Sequence, residues 1–201
     1  TGNPVRKELL ASLPSSAAAK TLLVLGGSQG AHRVNALVVE ALTRHGQNLP
    51  ADFRVIHQTG VADEEWVAAA YREKGIPAEV AAFFDDMTGC YRQASLVVSR
   101  AGATTLAELT VMRKPALLIP YPYAADGHQE KNAAFLENGG AARVFLEQDL
   151  DAETLASQLA TVLGDGALLE QMAARAGELA KPAATETILS ECQQLVEKKD
   201  V

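Results

Sequence analysis

Three short stretches of this chain carry the residue types that hold a charged, hydroxylated ligand. The first is Ser99-Arg100-Ala101-Gly102-Ala103-Thr104-Thr105-Leu106-Ala107-Glu108. Ser95 to Val98 reads as a short buried strand, Gly102 as a tight or left-handed turn, and the residues from Ala103 on as a helix. A strand, a small-residue turn and a helix opening make an anion site, because free N–H groups and the positive end of the dipole point outward there. Thr105 adds a hydroxyl in the first turn. Glu108, by helical angle, falls off the Leu106/Leu109 stripe, which predicts a carboxylate clear of the core. A carboxylate just past an anion site suits the two hydroxyls of a ribose. The plain reading is a capped helix with a solvated Glu.

The second stretch is Gly26-Gly27-Ser28-Gln29-Gly30-Ala31. It follows Thr21-Leu22-Leu23-Val24-Leu25, an apolar run of the kind expected of a central parallel strand. It precedes Val34, Val38, Ala41 and Leu42 at helical spacing. Glycines let a phosphate approach the backbone, and Ser28, Gln29 and Gly30 are candidates to meet it. The dinucleotide fingerprint is absent: counted from Gly26, Ser28 and Ala31 stand where it requires glycine. The next strand, Phe53 to His57, ends in histidine rather than the acid that holds an NAD ribose, so a nicotinamide cofactor is disfavoured. His57 reads as a site residue or, more simply, as a hydrogen-bonded surface group.

The third stretch, Asp126-Gly127-His128-Gln129-Glu130-Lys131-Asn132, lies on a long, proline-marked exit from the strand Pro115 to Pro120. Loops at the carboxyl ends of parallel strands are where ligands bind. His128 and Gln129 combine donors and acceptors suited to sugar hydroxyls, and Asp126 is a candidate helix cap.

Single residues elsewhere read both ways. Arg6 is placed to reach a phosphate or to lie solvated, after Asn3 as a candidate cap and Pro4 as a first helical residue. Phe84 offers an apolar surface and backbone amides to a flat base, or fills the core. Asp85 and Asp86 read as helix-capping acids rather than metal ligands. The D-x-D letters of Asp149 to Asp151 are explained by Asp151 as a cap, with Leu150 and Leu155 as its staple. No metal site, resident cofactor or catalytic residue is expected. A net charge of −7 and the absence of a basic run argue against nucleic acid. Cys90 and Cys192 fit no metal spacing, and no apolar run approaches a membrane span.

The elements that must position these stretches alternate strictly. Strands at 21–25, 53–57, 78–82, 95–98, 115–120 and 141–146 are each followed by a helical pattern. That alternation predicts an α/β fold, a doubly wound parallel sheet of Rossmann-like type in the order 3-2-1-4-5-6. Strands one and four then flank the switch point, and the turns after them face one crevice suited to a diphosphate. Residues 1–16 read as a linker with a first helix. Residues 17–201 read as one ligand-binding domain, with the helices of 151–198 packing on it.

These loops, with Gly2-Asn3-Pro4-Val5-Arg6, resemble the signature loops of the MurG family of N-acetylglucosamine transferases, over roughly residues 1 to 190 in order. The resemblance implies the C-terminal half of an inverting, two-domain GT-B glycosyltransferase, whose C-terminal domain binds UDP-N-acetylglucosamine. It implies Glu108 on the uridine ribose, Ser28 and Thr105 at the diphosphate with Arg6 as helper, Phe84 by the uracil and Gln129 on the sugar. Gln29, Gly30, Gly102 and His128 belong to the same donor site. It further implies that an N-terminal domain absent from this chain binds lipid I, the product being lipid II of peptidoglycan. That domain would rest peripherally on the cytoplasmic face of the inner membrane. The fragment alone is then expected to bind donor without transferring sugar. Two alternatives stay open. One is the donor half of another GT-B enzyme, such as a UDP-N-acetylglucosamine 2-epimerase or a glycolipid transferase. The other is a non-catalytic nucleotide-sugar module.

Overall fold

The computed structural model describes residues 1–12, 20–26 and 31–197. Six strands form one sheet: β1 (Thr21–Leu25), β2 (Arg54–Gln58), β3 (Ala78–Ala81), β4 (Leu96–Ser99), β5 (Ala116–Leu118) and β6 (Ala142–Val144). Every pairing is parallel and the order is β3-β2-β1-β4-β5-β6. The predicted order therefore holds, and β1 and β4 lie side by side at the switch point, with Leu25 opposite Ser99.

The central strands β1, β4 and β5 are buried on both faces, which is why they read as unbroken apolar runs, whereas the edge strand β3 is partly exposed. The pleat sends Leu22, Val24, Leu96, Val98 and Leu117 to one core and Leu23, Leu25, Val97, Ala116 and Leu118 to the other. On the first face lie α2 (His32–His45), α3 (Glu64–Glu73) and α7 (Ala152–Gly164), whose Val34, Val38, Val67, Leu155 and Leu159 join that core. On the second lie α4 (Met87–Gln93), α5 (Ala103–Val111) and α6 (His128–Asn138), through Tyr91, Leu106, Leu109 and Leu136. A short α1 (Lys7–Leu10) adds Leu9 to this second core. α8 (Gly166–Glu178) gives Leu169 and Met172 to the first core and Ala176 to the second.

Local chemistry sets several helix starts. Asp86, Asp151 and Asp165 each accept a backbone N–H three residues on, at 2.8, 2.7 and 3.0 Å, as N-cap acids do. The Asp126 cap is not formed. Asp126 sits at φ 49° and Gly127, at φ 62°, takes the N-cap position of α6, so the left-handed turn replaces the side-chain cap. Asn3 does not cap either: α1 starts at Lys7, and the Asn3 amide donates to Thr104 Oγ1 at 3.2 Å. The last helix, α9 (Ala184–Glu197), leaves Leu189, Leu195 and Val196 more than half exposed.

Candidate nucleotide-sugar site

A cleft of about 210 Å³ opens at the carboxyl ends of β1, β2 and β4. Its walls bring together Arg6, Gln58, Tyr91, Arg100, Thr105 and Glu108. Parallel sheets bind ligands at this edge, at the switch point. A second hollow, about 310 Å³, lies along α5 between Val5, Leu106, Phe135 and Leu136. Its lining includes no Asp or Glu, so of these two hollows only the first holds a carboxylate.

Glu108 is the centre of that cleft and corrects the sequence expectation. It is only 6% exposed, not clear of the core. Glu108 stands off the Leu106/Leu109 stripe of α5, but groups outside its own helix cover it. Arg6 Nε and Nη2 both donate to Glu108 Oε1, at 3.1 and 3.0 Å. Tyr91 Oη, on α4, donates to Oε2 at 3.0 Å. Three donors offset the cost of burying the carboxylate, as a buried charge requires. Burial and the neighbouring Glu108 carboxylate push the Tyr91 phenol well above its ordinary range, so it remains a donor. Arg6, expected to reach a phosphate, is here the partner of Glu108.

The turn before α5 also differs from expectation. Gly102 has φ −67° and ψ 139°, an extended N-cap open to any residue rather than a left-handed turn. A Cβ on it would meet only Thr105 Oγ1, at 4.0 Å, so the protein leaves space above this turn. Thr105 is half-buried and lines the cleft. Gly26 is different: a Cβ there would lie 2.7 Å from Asn35 Oδ1 and 2.9 Å from the Gln58 carbonyl. The candidates Ser28, Gln29 and Gly30 lie outside the described residues.

The third loop joins the first through Gln129. Its Oε1 accepts from the Ala101 N–H at 3.1 Å and the Tyr121 N–H at 3.0 Å. Both acceptor directions of that oxygen are then filled, so Gln129 meets a ligand as a donor, through its NH₂. Asn132 Nδ2 donates to the Ala101 carbonyl at 3.2 Å and tightens the same junction. His128 is exposed and lies 2.7 Å from the Ala125 carbonyl through Nδ1, which makes Nδ1 the donor there. Phe84 is half-buried against the second core, and its N–H donates to Gln58 Oε1 at 3.2 Å.

Gln58, Tyr91 and Arg100 escaped the sequence reading. Gln58 could have been found from its place at the end of β2, beside the switch point. Arg100 directly follows β4 at the same edge. It donates to the Ile119 and Pro120 carbonyls, both at 3.2 Å, pairs with Glu147 and lies over the Tyr121 ring. It clamps the rim rather than facing a ligand as a free cation.

His57 is neither a site residue nor a surface group. It is fully buried, with Tyr71 Oη 2.9 Å from Nδ1 and Asn35 Oδ1 3.1 Å from Nε2. Burial lowers its pKa to about 3, against a smaller opposing effect of Asp63. Asp63 is itself buried, which opposes ionisation. Trp66, His32 and Asn35 donate to it at 2.8, 2.8 and 2.7 Å and together hold it below the ordinary carboxylate range. This polar network reaches Gly26 through Asn35. Among the described residues, no three His, Cys, Asp or Glu side chains converge as a metal site, and no helix is long and apolar enough to cross a membrane.

Comparison with known families decides what such a domain is. Residues 21–188 match the model of the glycosyltransferase family 28 C-terminal domain. The chain belongs to this family. A relative from Anaeromyxobacter dehalogenans (strain 2CP-C) is 46% identical over 201 residues, covering 98% of this chain and 52% of that protein. One from Desulfotalea psychrophila is 44% identical, over 100% of this chain and 55% of that protein. Both are named UDP-N-acetylglucosamine–N-acetylmuramyl-(pentapeptide) pyrophosphoryl-undecaprenol N-acetylglucosamine transferase. The crystal structure of Acinetobacter baumannii MurG superposes with a TM-score of 0.80 at 31% identity, over 95% of this chain and 53% of that one. The chain spans about half the length of the curated relatives it matches.

Proposed function

We propose that this domain is the UDP-N-acetylglucosamine-binding half of the inverting transferase that turns lipid I into lipid II. The observation that carries the reading is the buried Glu108 at the switch-point cleft, in a chain 46% identical to a transferase of that name. Glu108 accepts from the uridine ribose. The diphosphate lies over the openings of α2 and α5, where backbone N–H groups, Gly102 and Thr105 meet it. Ser28, Gln29 and Gly30 complete that contact. The uracil lies beside Phe84. Gln129 donates to the sugar hydroxyls and His128 Nε2 accepts from them.

Inverting transfer needs an acceptor hydroxyl opposite the leaving diphosphate and a base to take its proton. Both are assigned to the other half of the full-length enzyme, with lipid I and the peripheral contact with the cytoplasmic face of the membrane. This half supplies stabilisation of the charge that develops on the leaving UDP, through the two helix openings.

Calorimetric titration of this chain with UDP-N-acetylglucosamine, UDP-N-acetylgalactosamine, UDP and NADH tests the reading. Binding of UDP and UDP-N-acetylglucosamine, lost or much weakened in Glu108→Ala, is expected. Binding of NADH with no binding of the uridine ligands would overturn it, and lipid II synthesis by this chain alone would overturn the division of labour.

A further inference from the structure

Tyr91 has no part in the donor contacts above, yet its hydroxyl is one of the best-placed polar groups in the cleft. It is fully buried on the inner side of α4, next to Met87 and Cys90 in the second core. A phenylalanine would fill the same volume. The hydroxyl therefore has to be accounted for by what it bonds, and it bonds Glu108 Oε2 at 3.0 Å.

The two anchors of Glu108 act differently. Arg6 places two N–H groups on a single oxygen, Oε1. Two donors converging on one atom make a pivot, not a clamp. The terminal torsion of glutamate is broad, so a carboxylate held at one oxygen still turns about that point. Tyr91 holds the second oxygen from another helix, and two fixed points define the carboxylate plane. Acceptor counting then says what is left. A carboxylate offers about four acceptor directions. Arg6 takes two on Oε1 and Tyr91 takes one on Oε2, so the free direction lies on the oxygen that Tyr91 holds.

We propose that Tyr91 is a positioning residue for ribose recognition, holding Glu108 Oε2 so that its remaining acceptor direction meets a ribose hydroxyl of the uridine nucleotide. The inference rests on the donor-site reading and extends it to the choice between ribose and deoxyribose. Tyr91 touches no substrate atom and acts through Glu108. Burial and the adjacent carboxylate hold its phenol well above the ordinary range, so it stays a donor.

The test is calorimetric titration of this chain with UDP, 2′-deoxy-UDP and 3′-deoxy-UDP, for the native protein, Tyr91→Phe and Tyr91→Met. The native chain is expected to prefer UDP over at least one deoxy analogue by about tenfold, the size of a hydrogen bond to a charged group. In both variants that preference falls to near parity, while cooperative thermal unfolding is retained. A merely structural role would weaken all three ligands alike and leave the ratio untouched, and that result overturns the proposal. Native chain that binds UDP without preferring ribose overturns the role of Tyr91 and leaves the donor site standing. Native chain that binds no uridine nucleotide overturns both. If neither variant folds, 3-fluorotyrosine at the four tyrosines of the native sequence gives the answer. The Tyr91 fluorine signal is expected to move further with saturating UDP than with the weaker deoxy analogue, and equal shifts overturn the proposal.

Discussion

Arg6 and Glu108, 102 positions apart in sequence, form an ion pair in which one partner is buried and the other is not: the Glu108 side chain is 8% exposed and that of Arg6 53%. The pair ties the segment before α1 to the middle of α5, beside the Asn3–Thr104 hydrogen bond. Removing the arginine leaves a buried carboxylate held by Tyr91 alone. Half-exposure of the guanidinium discounts its worth by solvent screening. Arg6→Ala is expected to cost about 1–2 kcal/mol, mostly as the penalty of the unpaired carboxylate. Urea unfolding at low and high salt checks this. Combining Arg6→Ala with Glu108→Gln should recover much of the loss, and strictly additive losses would mean that the pair is not coupled.

The buried His57 makes stability depend on pH. In the folded state its pKa is lowered to about 3 from 6.5, so the native ring stays neutral while the unfolded chain takes up a proton below 6.5. The unfolded state then binds more protons between those values, and stability falls as pH drops from 6.5 toward 3. The limiting slope for one such group is about 1.4 kcal/mol per pH unit. Asp63, held below its ordinary range, adds a further loss only at the acid end, when its carboxylate is protonated. Unfolding free energies measured at intervals from pH 7 to pH 4 should show the decline, and a flat profile to pH 5 would count against it. His57→Gln should flatten the upper part of the curve while lowering stability at pH 7.

The frame of this domain was legible because burial on both sheet faces writes itself as uninterrupted apolar runs. Leu22 to Leu25 and Leu96 to Val98 are each fully or nearly fully buried, and their order followed from alternation with helices. Asp86 and Asp151 were legible because capping is local, decided within three residues. Glu108 was misread because its burial is not local: it comes from Arg6 and from Tyr91 on another helix. His57 was misread for the same reason. Its partners, Asn35 and Tyr71, lie 22 and 14 positions away on α2 and α3. Gly102 looked like a conformational glycine, but its backbone is ordinary and its smallness leaves open space.

That difference between two glycines gives a paired prediction. At Gly26 an added Cβ would meet Asn35 Oδ1 at 2.7 Å and the Gln58 carbonyl at 2.9 Å, and the backbone oxygen cannot move aside alone. Gly26→Ala is expected to cost about 1–3 kcal/mol of stability by overpacking. At Gly102 the nearest atom would be Thr105 Oγ1 at 4.0 Å. Gly102→Ala should leave thermal unfolding within a few degrees of the native value, since φ −67° suits alanine and only a few tenths of a kcal/mol to about 1 kcal/mol of capping preference is lost. On the proposed reading the methyl group stands where the diphosphate approaches, so UDP affinity should fall at least about tenfold, the cost of one lost charge-assisted contact. Calorimetry beside thermal unfolding separates the two effects. Unchanged UDP binding in Gly102→Ala would remove this turn from the site.

Gln129 divides its two ends between fold and ligand, and a substitution can separate them. Its Oε1 holds the Ala101 and Tyr121 N–H groups together, joining the turn before α5 to the exit of β5. Gln129→Glu keeps an oxygen for both N–H groups and removes the NH₂ donor. Gln129→Leu removes both and strands two backbone donors, each costing about 1–3 kcal/mol if buried. The leucine variant is therefore expected to lose thermal stability and the glutamate variant to keep it. For binding, the informative quantity is the ratio of UDP-N-acetylglucosamine to UDP affinity. The added negative charge of glutamate weakens UDP, whose free terminal phosphate carries more charge, at least as much as UDP-N-acetylglucosamine, so charge alone does not lower the ratio. If the NH₂ donates to a sugar hydroxyl, the ratio falls below that of the native chain in Gln129→Glu. A ratio equal to that of the native chain would confine Gln129 to holding the rim together and move the sugar contact elsewhere on the loop, with the exposed His128 the next group to test.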